Sequence, residues 1–137
     1  MNLEADDLWH RALRALETAR LDLPCDPDAA ASRAYYSAFH AVSAWLALRG
    51  ITLSRHSAVE AAVHRDLVKA GLWSPDLGAD YSYLRELRMQ GDYGGAIHVD
   101  AERARDAIGA AEGILTAVQA LCPDLCPLTA DPPAGEN

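Results

Sequence analysis

One stretch in the second half of the chain carries polar residues at a spacing that suits phosphate binding. It runs from Tyr83 to Tyr93 as YLRELRMQGDY, with Arg88 and Asp92 four residues apart and a pair of glycines directly behind it. On a helix, residues four apart share one face, so the carboxylate can hold the guanidinium in one orientation. An oriented arginine binds phosphate oxygens and can stabilise the charge that develops on them during metal-free RNA cleavage.

Arg88, Asp92 and Tyr93 are therefore candidate catalytic residues, and Arg85 is a candidate phosphate contact. The same group also has a purely structural interpretation, because arginine near a helix C-terminus is electrostatically favourable without any function. Cleavage would further need a base for the 2′-hydroxyl proton, and histidine is the natural base near neutral pH. His98 is the nearest histidine downstream, but the two glycines leave its position relative to the helix open.

A second polar group lies on an otherwise apolar segment earlier in the chain. Its members follow three- and four-residue spacings and share one helical face: Arg33, Tyr36, Ser37, His40 and Ser43. This stripe is either a solvent-facing or interface seam, or one wall of a cleft that faces the helix of Arg88. In the second interpretation, Tyr36 and His40 contact RNA or a nucleotide. His56 shares a face with two valines, so it is either a core or dimer-interface histidine or a further ligand contact.

The elements that must position these residues are all helical. Each periodic segment indicates a helix, and no segment shows the alternation typical of a strand. The pattern predicts an all-α, up-and-down bundle of four to five helices, with the second helix central because it is apolar around most of its circumference. The predicted helices run from Leu3 to about Leu21, from near Asp26 to Gly50, from the cap Ser54 to Gly71, from about Leu77 to Gln90, and from Asp100 to about Leu121.

Length and composition fit one helical domain over residues 1–121 and a proline-rich tail over residues 122–137 that we predict to be disordered. The net charge of −8 argues against nonspecific coating of nucleic acid, so any such contact must be local. The acidic N-terminus and the lack of a long apolar run predict a cytoplasmic protein without a membrane segment. Neither a metal site nor a cofactor is expected, because the three cysteines lack partners at zinc spacing.

Three segments in this order resemble HEPN domains: SRAYYSAFHAVSAWLALRG, RHSAVEAAVHRDLVKAGLW and LRELRMQGDYGG. The similarity is to the branch with an AYYxxFH helix, a central histidine and a closing RxxxDY, and it covers about Leu3 to Leu121. The resemblance implies a helical bundle that forms a homodimer, with the arginine motifs of both subunits near a shared cleft.

The resemblance also bears on catalysis. Many members of the wider superfamily are metal-independent endoribonucleases, often toxins, that pair an arginine with a histidine four to six residues later. Here those positions hold Asp92, Tyr93 and Gly94, and neither a carboxyl nor a phenol ordinarily titrates near pH 7. Arg88, Asp92 and Tyr93 match the RxxxDY of their own branch, so phosphate binding without cleavage stays open beside endoribonuclease activity.

A partner is implied as well, since such domains often occur beside a minimal nucleotidyltransferase in toxin–antitoxin pairs. In some pairs the transferase modifies a tyrosine near the arginine, which makes Tyr93 the candidate acceptor here. The leading expectation is the toxin-like, RNA- or nucleotide-binding half of such a pair. The alternative is a dimerising, non-catalytic adaptor that positions the nucleotidyltransferase and contacts no RNA.

Overall fold

The computed structural model describes residues 2–125, and its regular structure in that range is entirely helical. The five α-helices are α1 Leu3–Asp22, α2 Pro27–Leu48, α3 His56–Ala62, α4 Pro75–Tyr93 and α5 Ala101–Leu121. Behind α3 the chain continues as a π-helical segment, Val63–Val68. The prediction of an all-α helical bundle is confirmed.

The helix N-termini explain most of the observed boundaries. Four of the five α-helices begin after a residue whose side-chain oxygen accepts a backbone N–H of the first turn: Asn2, Asp26, Ser74 and Asp100. The predicted cap of the third helix, Ser54, is wrong, because Arg55 holds the cap position and makes no side-chain cap bond.

The fourth helix is longer than predicted at both ends, because Pro75 suits a first helical position and the glycine that stops the helix is Gly94. Residues 91–93 therefore continue the α-helix that carries Arg88, and they keep its helical spacing.

Helix α2 lies at the centre and packs against α1, α4 and α5. Many of its buried residues are alanines, which let the neighbouring helices approach closely. At the contact with α1, the buried hydroxyl of Ser37 donates a hydrogen bond to the carbonyl of Ala12 at 2.7 Å. This bond satisfies the buried hydroxyl of Ser37.

The packed core extends beyond the predicted boundary at residue 121. Cys122 and Leu125 are buried, and a turn is closed by the bond from the Leu125 N–H to the Cys122 carbonyl. Both side chains pack against the core at the end of α5. The rest of the predicted tail lies outside the described residues. Within the described range, no helix is long and apolar enough to cross a membrane, and no cluster of metal-ligating side chains occurs.

Candidate functional site

Arg88 lies between α4 and α2, and its guanidinium is held at two points. Its Nε donates to Asp92 Oδ2 at 3.0 Å, and its Nη2 donates to Tyr36 Oη at 3.0 Å. The side chain is only 11% exposed. Of the five N–H donors of a guanidinium, the other three have no protein acceptor among residues 2–125. The arrangement is a fixed cation with donors left for an anion.

The surroundings of Arg88 keep it charged. Burial works against the charge, yet the pKa of Arg88 is raised above its usual value because Tyr36, Tyr93 and Asp92 favour the cation. The guanidinium carbon lies 5.4 Å from the ring centroid of Tyr36 and 5.5 Å from that of Tyr93. These distances are within the range of cation–π attraction. Tyr93 itself is 67% exposed, so its ring is the outer edge of the site.

The sequence of α4 permits this close approach to α2. Gly91 faces the backbone of Asp28, and a Cβ at that position would lie 3.2 Å from the Asp28 carbonyl oxygen. A larger residue would therefore push the end of α4 away from the start of α2. Behind the helix, Gly95 adopts φ +63°, a conformation that other residues rarely take. The chain can thus turn sharply after Tyr93.

His56 reaches the same aromatic cluster from α3. Its Nδ1 lies 2.7 Å from the hydroxyl of the buried Tyr35, and its ring centroid lies 4.6 Å from that of Phe39 and 5.7 Å from that of Tyr36. Burial lowers the pKa of His56, and the charges of Arg88 and a second arginine lower it further. The imidazole is therefore neutral at pH 7, the form that can accept a proton.

The second arginine, Arg85, is bound to a carboxylate. It forms an ion pair with Glu60 of α3, and Glu60 also accepts a hydrogen bond from Ser82 Oγ at 2.7 Å. Burial opposes the charge of Glu60, but the bonds from Ser82 and Arg85 outweigh it and lower its pKa. Arg85 therefore joins α4 to α3 and adds positive charge beside His56.

The polar stripe of α2 is divided between two surfaces. Tyr36 faces Arg88, whereas Ser37 is buried against α1. The ring centroid of His40 lies 6.0 Å from that of Tyr36, but His40 lines a groove that α1 and α2 form together. Burial lowers the pKa of His40, and Arg11 and Arg33 add to this effect. His40 is thus adjacent to the Arg88 site and belongs to a neighbouring groove.

His98 lies outside the site. Its exposed ring is held at the N-terminus of α2, where Nδ1 lies 2.6 Å from Asp28 Oδ2. Tyr35 is the residue that the sequence analysis missed, because its neighbour Tyr36 fits the polar stripe whereas Tyr35 falls on the apolar side of α2. The available signal was the tyrosine pair itself, since a buried tyrosine usually needs a hydrogen-bond partner.

Comparison with known proteins places this geometry in a family context. The family model described as "HEPN domain" matches residues 5–121. A UPF0332 protein of Thermotoga maritima is 39% identical over 121 residues, which cover 87% of this chain and 92% of that protein. A UPF0332 protein of Gloeobacter violaceus is 32% identical over 98 residues, which cover 70% of this chain and 77% of that protein. The family match spans the Arg88 site, including Tyr36, His56 and Tyr93.

Proposed function

This chain belongs to the HEPN domain family, and we propose that its groove around Arg88 binds a phosphate of RNA or of a nucleotide. The observation that carries the proposal is the guanidinium held by Asp92 and Tyr36, with three donors left unpaired by protein. Arginine in such a fixed orientation suits bidentate phosphate contacts. The exposed ring of Tyr93 at the edge of the groove supports stacking of a base.

We propose a cytoplasmic homodimer that acts as the toxin-like half of a toxin–antitoxin pair. The expected partner is a minimal nucleotidyltransferase. Exposed apolar side chains near the end of α4, those of Met89, Tyr93 and Ile97, favour a protein partner at this surface. The same observation supports the second candidate function, an adaptor that holds the transferase without contacting RNA.

Metal-independent endoribonuclease activity is the catalytic form of the proposal, and His56 supports it in place of the missing motif histidine. With the Nδ1 hydrogen donated to Tyr35 Oη, Nε2 offers a lone pair to the 2′-hydroxyl proton. The 2′-oxygen then attacks phosphorus and the bond to the 5′-oxygen breaks. The leaving 5′-oxygen takes a proton from solvent, which gives a 2′,3′-cyclic phosphate and a 5′-hydroxyl. Arg88 would stabilise the charge on the phosphate oxygens during this step.

Incubation with a mixed RNA pool in EDTA tests these alternatives. The wild-type protein is compared with Arg88→Ala and with Arg105→Ala, an exposed arginine on α5 that makes no ion pair within residues 2–125. Cleavage that Arg88→Ala abolishes and Arg105→Ala retains supports the endoribonuclease. Binding that depends on Arg88 without cleavage supports the nucleotide-binding module. If the RNA is neither bound nor cleaved, RNA binding at Arg88 is refuted and the adaptor is favoured.

Modification of Tyr93 is tested separately. Because Tyr93 is 67% exposed and its ring lies beside Arg88, it is the proposed acceptor of a nucleotide from the partner transferase. Intact mass is measured before and after incubation with the transferase and ATP, for the wild type and for Tyr93→Phe. A nucleotide added to the wild type alone supports the proposal. An unchanged wild-type mass, or equal modification of Tyr93→Phe, contradicts it.

A further inference from the structure

A second basic groove lies between α1 and α2, next to the Arg88 site. It has a volume of about 400 Å³ and is lined by Arg11, Arg14, Ala15, Thr18, Arg33 and His40. Arg11, Arg14 and Thr18 follow helical spacing along α1, and Arg33 and His40 are two turns apart on α2. The polar residues of both rows therefore converge on one groove, whose floor holds the small side chain of Ala15.

The arginines of this groove are weakly neutralised. Arg14 and Arg33 have no carboxylate within ion-pair distance in the part of the chain that the structure describes. Arg11 pairs with Asp7 at 3.0 Å, but the two side chains are 54% and 58% exposed, and such exposed pairs contribute little. In a chain with a net charge of −8, three arginines around one groove form a local positive patch. The lowered pKa of His40, caused by burial and then by Arg11 and Arg33, agrees with this potential.

Tyr36 connects this groove to the Arg88 site. The guanidinium carbon of Arg33 lies 5.0 Å from the centroid of the Tyr36 ring, and that of Arg88 lies 5.4 Å from the same centroid. The centroid of the His40 ring lies 6.0 Å from the centroid of the Tyr36 ring. Arg88 of α4 and Arg33 of α2 thus lie beside the same Tyr36 ring, and Arg33 also lines the groove that α2 forms with α1.

We infer that the backbone of single-stranded RNA runs from Arg88 past Tyr36 into the groove of Arg11, Arg14 and Arg33. The inference rests on the proposed phosphate site at Arg88 and specifies its ligand as an oligonucleotide. A positive groove combined with aromatic rings is the usual way in which proteins hold single strands. A mononucleotide would occupy the Arg88 end alone, whereas a strand of several nucleotides would also place phosphates beside the α1 arginines.

Binding of two ligand lengths tests the inference. The probes are a fluorescent dinucleotide and a single strand of about 12 nucleotides, a length within the range that single-strand binding folds cover. Both carry 2′-O-methyl riboses, which prevent attack by a 2′-hydroxyl. The variant Arg11→Gln/Arg14→Gln is compared with Lys69→Gln/Arg105→Gln, which removes the same charge from exposed positions outside the groove, and with Arg88→Ala.

We expect Arg11→Gln/Arg14→Gln to weaken binding of the long strand roughly 20-fold at 0.1 M salt. Its slope of log affinity against log salt should fall by about 1.4, because each phosphate contact to a single strand contributes about 0.7. Dinucleotide binding should be unchanged in this variant. The control pair should bind both probes nearly as the wild type does, and Arg88→Ala should weaken binding of both.

Other outcomes overturn the inference in distinguishable ways. In one, Arg88→Ala weakens binding of both probes while the α1 variant binds the long strand as tightly as its charge-matched control. In that case the inferred path of RNA into the α1–α2 groove is wrong, and the phosphate site at Arg88 is supported. If the wild type binds neither probe, both the proposed function and the inferred path of the RNA are refuted. If the α1 variant leaves RNA affinity intact but shifts the sedimentation of the dimer, the groove is an interface between copies of this chain.

Discussion

The hydroxyl of Tyr36 offers the sharpest test of the site, because Tyr36→Phe removes one anchor of Arg88 and little else. The phenylalanine ring keeps its place beside both arginines, at the 5.0 Å and 5.4 Å distances seen for tyrosine. Only the 3.0 Å bond from Nη2 to Oη is lost. The bond from Nε to Asp92 remains, so the guanidinium keeps one of its two anchors.

The expected effect on ligand binding follows from side-chain entropy. Full ordering of an arginine side chain costs about 1.5–2 kcal/mol, and with one of two anchors lost, binding must supply roughly half of this. A loss of about 1 kcal/mol corresponds to roughly fivefold weaker affinity. The free energy of unfolding should fall by about 1 kcal/mol, the usual net contribution of one hydrogen bond.

The assay measures fluorescence anisotropy of the labelled single strand together with urea unfolding. Tyr83→Phe on α4 is the matched control, since Tyr83 is partly buried and its hydroxyl makes no hydrogen bond within residues 2–125. Tyr36→Phe should bind about fivefold more weakly than Tyr83→Phe. Equal affinity of these two variants, with a clear loss in Arg88→Ala, would show that the orientation of Arg88 does not matter and would refute the reasoning.

Three further predictions concern stability. Burial and two arginines lower the folded pKa of His56 below its ordinary value of 6.5, so the unfolded chain binds more protons and the free energy of unfolding declines as pH falls below about 6.5. His56→Gln should make this decline shallower in urea titrations between pH 7 and 5 without removing it, because burial also lowers the pKa of His40; a slope equal to that of the wild type would contradict the assignment. Gly78→Ala should lower the free energy of unfolding by about 1 kcal/mol, because its Cβ would lie 2.7 Å from Val68 Cγ2 and the overpacking cost of about 1–3 kcal/mol exceeds the roughly 0.5–1 kcal/mol that alanine gains over glycine in a helix. Gly109→Ala, with nothing within 4 Å, should instead raise it by about 0.5–1 kcal/mol in the same urea titration; a destabilisation by Gly109→Ala equal to that by Gly78→Ala would be inconsistent with the steric argument.

The helices could be predicted from the sequence because their causes are local. Caps such as Asp26 and Asp100 and the three- and four-residue apolar spacing act within one or two turns of the chain. The pairing of Arg88 with Asp92 could also be predicted, because side chains four residues apart on one helix lie next to each other. The third helix was the least predictable, since no side chain caps it and its continuation winds as a π-helix.

The partners of the site residues across helices were decided by tertiary structure. Tyr36 meets Arg88 across 52 residues of chain, and His56 meets Tyr35 across 21. Such contacts depend on the rotation and spacing of packed helices, which small residues such as Gly91 and the alanines of α2 control. The same packing brings Arg85 into contact with Glu60 and His98 into contact with Asp28. Spacing along one helix could nominate these side chains, but only the packed bundle determined which of them share a groove.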